Sequence, residues 1–136
     1  MKLVVADASA VVEYLFGTPQ GIRLRSAFES PDHDLHVPAL CDVEMAAVLR
    51  RALLEERLAD RRAREALIDY FDLPLTRHGH VELLPRILAL RANFTAYDAT
   101  YVALAEHLDA TLVTADEPLA RAVAAHARIP LHELPG

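Results

Sequence analysis

The chain is short of several things. Its 136 residues include one cysteine, four glycines, no tryptophan and a single lysine, Lys2. The lone Cys41 excludes an internal disulfide and agrees with a reducing compartment. So few glycines among 53% apolar residues argue against disordered tails and for one compact, helix-rich domain over 1–136. No apolar run nears the ~20 residues needed to cross a bilayer. Asp7 and Glu13 interrupt the N-terminal apolar stretch where a signal peptide needs it unbroken. A cytoplasmic protein with no membrane association is therefore expected. Positive charge is also scarce. The net charge is −6, so bulk electrostatics do not mark a nucleic-acid binder.

What the chain does have is alternation. "KLVVA" (2–6) reads as a strand buried on both faces, and "SAVVEYLF" (9–16) as the helix after it. A second short helix is expected over 21–30, a strand over 35–38, and two helices over 43–58 and 60–71. Asp60 is the expected N-cap of the latter. A weak strand follows at 73–77, then a helix over 81–94 with Pro85 either in its first turn or at a kink. The helix from Tyr97 to about Leu108, the strand 111–115, the helix 118–127 and a closing strand over 129–134 complete the pattern. Strands alternating with helices predict a three-layer α/β/α sandwich around a mostly parallel sheet.

Four acids stand at helix entrances. Asp7 ends the first strand, Glu44 opens the long central helix, Asp98 lies in a first turn, and Asp116 ends the fourth strand. Taken singly, each is well explained by capping or by the helix dipole, and Asp42 is a candidate cap for the helix containing Glu44. Thr95 and Asp98 resemble a capping box. Taken together they say more. Junctions after the carboxyl ends of strands line the ligand crevice of an open α/β sheet, and Asp7 and Asp116 both sit at such junctions. Asp98 shares its helix side with Val102 and Ala105, so its carboxylate points toward the core and needs a partner.

That partner is an arginine or a divalent cation. Clustered carboxylates repel one another unless a cation such as Mg²⁺ sits among them, and an all-oxygen site without Cys or His suits Mg²⁺. Such a site fits phosphoester hydrolysis, in which the metal binds a phosphate oxygen and activates a water. Ser9 and Thr114 are candidate supporting hydroxyls, although both also serve as ordinary groups at element ends.

The segments "VVADASAVVEYL", "CDVEMAAVL" and "TAYDATYVALAEHLDATLVTAD" resemble the PIN-domain ribonucleases, and length and spacing fit best the VapC-type toxins of toxin–antitoxin pairs. The resemblance covers essentially the whole chain. It implies that Asp7, Glu44, Asp98 and Asp116 form an acidic quartet around Mg²⁺ or Mn²⁺, with Ser9 and Thr114 at matching positions. It also implies endonucleolytic cleavage of RNA, a homodimer, and inhibition by a cognate antitoxin lying near 43–71.

The stretch "RRALLEERLADRRAR" (50–64) carries six arginines against three acids. A solvated face with pairs such as Asp60–Arg64 is the plain reading. The resemblance makes Arg50 and Arg51 candidate contacts for RNA or antitoxin. The alternative to an enzyme is a PIN-like module that binds RNA or protein without cutting. A phosphoacceptor receiver domain would need a lysine after its last strand, and a haloacid-dehalogenase-type phosphatase an Asp-x-Asp where this chain has Asp7-Ala-Ser9. The pairs His33/His36 and His78/His80 read as surface histidines, and Tyr97 and Tyr101 as core or dimer packing.

Overall fold

The computed structural model describes residues 1–133. Four parallel strands, β1 (Lys2–Ala6), β2 (His33–Pro38), β3 (Leu75–His78) and β4 (Thr111–Val113), form one sheet in the order β3-β2-β1-β4. The helices are α1 (Ala8–Phe16), α2 (Pro19–Arg23), α3 (Arg25–Glu29), α4 (Leu40–Leu54), α5 (Asp60–Asp72), α6 (Leu84–Ala89), α7 (Ala96–Leu108) and α8 (Glu117–His126). Among the described residues no helix is long and apolar enough to cross a membrane.

The order of the strands fixes the layers. From β1 to β2 to β3 the chain steps one way across the sheet, and from β3 to β4 it jumps back past β1. Right-handed crossovers then put α1–α5 on one face and α6–α7 on the other. The packing agrees: α7 lies on β1, β2 and β4, while α3 and α4 lie on β2. Covered on both faces, Val4, Val5 and Ala6 are fully buried, as their continuous apolar run predicts.

Several boundaries depart from the sequence pattern, each for a local reason. The segment 21–30 is two helices, because Leu24 ends α2, starts α3 and drives its side chain into the core. Gly21 makes that corner possible. A Cβ there would meet the Glu13 carbonyl oxygen at 1.8 Å, so α2 lies directly on the backbone of α1.

Helix α4 starts at Leu40 behind the N-cap Ala39 and stops at Leu54. Its end is a Schellman motif with Glu56 at φ 57, in which Arg57 N donates to Ala52 O and Glu56 N to Leu53 O. Asp42 does not cap it, but accepts from the Tyr70 hydroxyl at 2.6 Å and from Arg77 Nε at 2.9 Å. Ala59, not Asp60, is the N-cap of α5, and Arg61 pairs with Glu65 where an Asp60–Arg64 pair was expected.

The segment 81–94 is a 3₁₀ turn (Val81–Leu83) followed by α6, with Pro85 in the first turn of α6 and turns over 90–93. Strand β4 ends at Val113. The expected strand over 129–134 reduces to one parallel bridge, Leu112 to Leu131, and its last residue lies outside the described residues.

Candidate active site

The direction in which the sheet grows reverses between β1 and β4, and open α/β sheets bind their ligands at such reversals. Asp7 leaves β1 at this point and Asp116 follows β4. Both are N-caps, as a reading of each acid by itself implies. Asp7 Oδ1 accepts from Ala10 N at 2.9 Å and opens α1, and Asp116 Oδ1 accepts from Leu119 N at 3.0 Å and opens α8.

Two hydroxyls join the two caps. Ser9 Oγ donates to Asp7 Oδ1 at 2.7 Å and accepts from Ala115 N at 3.1 Å. Thr114 Oγ1 donates to Asp7 Oδ2 at 2.6 Å and accepts from Asp116 N at 3.0 Å. The start of α1 is thereby tied to the β4–α8 loop, although the residues lie more than a hundred positions apart. Gln20, which the sequence did not single out, adds a bond from its Nε2 to Ala115 O at 2.9 Å.

Asp7 is 5% exposed. Burial raises its pKa from 3.8 to about 6 against the opposing pull of Thr114, Ala10 N and Ser9, and the charge of Asp116 raises it further. Asp98 lies half-buried in the first turn of α7, where Thr95 Oγ1 caps its backbone N–H at 3.1 Å. Its pKa is also raised, first by burial and then by Asp116. The charge of Asp116 thus acts on both Asp7 and Asp98.

Glu44 has a different partner. Its Oε1 accepts from the Tyr101 hydroxyl at 2.6 Å, which ties α4 to α7 one turn beyond Asp98. Tyr101 is 2% exposed, whereas Tyr97 is 63% exposed, so the two tyrosines do not share a packing role. Spacing held the signal for Tyr101, since it follows Asp98 by three residues on one helical face.

Among the described residues, no three His, Cys, Asp or Glu side chains already meet at ligating distance around one point. Apart from Arg23, which lines the same cleft as Asp116, no Arg or Lys among them forms an ion pair with Asp7, Glu44, Asp98 or Asp116.

The arginine strip divides. Arg61 and Arg62 pair with Glu65, Arg62 also covers the Phe16 ring at 4.7 Å, and Arg57 pairs with Glu55. Arg50 and Arg51 are exposed and have no ion-pair partner among the described residues. Arg50 and Arg64 flank a cleft of about 340 Å³ between α4 and α5, floored by Ala46, Leu49, Leu53 and Leu67.

A four-stranded parallel sheet with helices on both faces is the fold of a PIN domain. Residues 4–125 match the PIN domain family model, and the chain belongs to that family, among its VapC ribonucleases. It is 45% identical over 114 residues to ribonuclease VapC9 of Mycobacterium tuberculosis, covering 84% of this chain and 86% of that one. In fold it is similar to VapBC2 from Rickettsia felis bound to a DNA fragment from their promoter. That match has a TM-score of 0.71 at 11% identity and spans 98% of this chain and 99% of that one. A toxin–antitoxin complex from Klebsiella pneumoniae matches with a TM-score of 0.56 at 18% identity, over 83% of this chain and 86% of that one.

Proposed function

We propose that the protein is the toxin of a toxin–antitoxin pair and cleaves RNA internally, using a divalent cation, Mg²⁺ or Mn²⁺, held by Asp7, Asp98, Asp116 and Glu44. The observation that carries this reading is the crowding of carboxylates at the ligand-binding reversal of the sheet, where burial and the charge of Asp116 raise the pKa values of Asp7 and Asp98. The donor set suits a hard, oxygen-seeking ion. Asp7 also has room for one. A carboxylate offers about four lone-pair sites, and three protein donors occupy Asp7.

When bound, the cation supplies Lewis acidity toward a phosphoryl oxygen and toward the attacking water. The protein's own groups do the rest. Thr114 and Ser9 fix the Asp7 carboxylate in one orientation and oppose the rise in its pKa, which favours the ionised form that a ligand must be. Thr114 also holds the backbone of Asp116. Tyr101, whose own ionisation is pushed far above the usual range, remains a donor to Glu44 and sets where that carboxylate sits.

The cleft between α4 and α5, with an apolar floor and arginines on its rim, suits an amphipathic antitoxin segment, and Arg50 and Arg51 suit RNA phosphates or antitoxin acids. Val81, Leu84 and Leu88 are exposed apolar groups on the opposite face and fit a homodimer contact.

Incubating the purified protein with total RNA and Mg²⁺ tests the proposal. New internal ends are expected, absent in EDTA and absent from Asp7→Asn and Asp98→Asn. Cleavage that survives chelation would overturn the metal. RNA bound by the wild-type protein but never cut would leave a silent binding module instead.

A further inference from the structure

The two histidine pairs that look like surface residues in the sequence are regrouped by the fold. Parallel pairing of β2 with β3 sets Pro38 opposite His78 and places His36 and His78 on one face of the sheet. Their rings approach with centroids 5.0 Å apart, and His36 Nδ1 lies 2.8 Å from His78 Nε2. His36 is only 8% exposed, so it is not a surface histidine.

On the far side of its ring, His36 Nε2 lies 3.0 Å from Asp34 Oδ2. That contact is close but badly directed, and it leaves the buried Nε2 without a satisfactory hydrogen bond. The carboxylate nevertheless favours the proton on Nε2, which turns the lone pair of Nδ1 toward His78. A cleft of about 320 Å³ beside the free edge of β3 is lined by His78, Glu82 and His107. His107 is exposed at the end of α7 and acts electrostatically on His78.

We infer that His36 and His78 are the preset half of a transition-metal site, selective for a borderline ion such as Zn²⁺, which His107 closes from α7. Two imidazole nitrogens aimed at each other converge on one point, and a metal there replaces the proton they now share. His78 then carries its proton on Nδ1 instead, and the gap opens to admit two bonds of about 2.0–2.1 Å. Asp34 behind His36 supplies the outer carboxylate that metal-bound histidines favour. Three ligands do not yet converge in the metal-free fold. The exposed His107 moves to complete the set, and water fills the remaining position. Burial and the neighbouring histidines lower the pKa of His78, which keeps it neutral and able to ligate at ordinary pH. This site uses nitrogen donors, takes a different ion and owes nothing to the acidic cluster.

Calorimetric titration of Zn²⁺ into the full chain, in saturating Mg²⁺, tests the inference. Wild type and Asp98→Asn are expected to bind equally. His78→Gln and His107→Ala should each weaken binding at least tenfold, and Asp34→Asn by about tenfold, the low end for loss of an outer carboxylate. His126→Ala, a change at an exposed histidine elsewhere, should have no effect. Circular dichroism checks the fold of each variant. Because His78 and His107 lie at the cleft rather than in the core, loss of structure would be confined to His36 variants, which the test does not need. Unchanged affinity in His78→Gln, or the same small loss in every histidine variant including His126→Ala, would overturn it.

Discussion

The Tyr101 hydroxyl donates to Glu44 Oε1 at 2.6 Å, from a ring that is 2% exposed. A buried phenol directed at a partly exposed carboxylate fixes that acid more than it stabilises the fold. Tyr101→Phe keeps the ring and removes only the donor. We expect a loss of about 1–2 kcal/mol in urea unfolding, in line with a bond to a charged group whose partner can be rehydrated. RNA cleavage should need more Mg²⁺ to reach half its maximal rate. Cleavage with an unchanged Mg²⁺ requirement would separate Glu44 from the cation.

Asp7 makes stability depend on pH in an unusual direction. Its carboxyl titrates near 6 when folded and at 3.8 when unfolded, so the native state holds an extra proton between those values. The contribution of Asp7 is fully present below pH 3.8 and is lost as pH rises through about 6. The difference corresponds to about 3 kcal/mol. Metal-free Asp7→Asn should therefore melt above wild type at pH 8, and the gain should vanish near pH 4. The same variant should not cut RNA. A wild-type protein at least as stable as Asp7→Asn at pH 8 would contradict this.

Thr114 is the strongest of the contacts that hold the Asp7 pKa down. Removing its hydroxyl in Thr114→Val should move the Asp7 titration to higher pH, read from the side-chain carboxyl carbon by NMR in the metal-free protein. It should also cost about 1.5–3 kcal/mol, since a bond to an ionised group is lost. Thr114→Ser should restore most of both.

Arg50 and Arg51 have no ion-pair partner among the described residues, so replacing both with alanine should alter stability by no more than about 0.5 kcal/mol. Measured on the inactive Asp98→Asn background, RNA affinity should fall. Its salt dependence should flatten by about 1.4 in log–log slope if each arginine meets one phosphate of a single strand. An unchanged slope would return the strip to the role of a solvated face.

Much of the architecture can be read from the residues, because strands that are buried on both faces and helices with one apolar side leave periodic marks. Positions 2–6, 43–58 and 97–108 carry them plainly. The rule that strand ends line the crevice singles out Asp7 and Asp116, and the apolar side of its helix singles out Asp98; burial and the charge of Asp116 raise the pKa values of Asp7 and Asp98. The remainder depends on register and on corners, which leave no periodic trace. His36 and His78 are 42 residues apart and meet only because β2 and β3 pair as they do. Tyr101 looked like packing because an aromatic two helical faces could use says nothing about where its hydroxyl ends. Segment 81–94 has enough leucine to imitate one helix, but Pro85 delays its start and the chain turns again after Ala89.

Gly21 has a reach beyond its own turn. With no side chain there, α2 rests against α1 so closely that the adjacent Gln20 can grasp the carbonyl of Ala115, beside Asp116. One added methyl would lift that short helix away from its support and slacken the loop at the opposite end of the chain, so the smallest residue in the molecule works as a spacer gauge for chemistry it never touches.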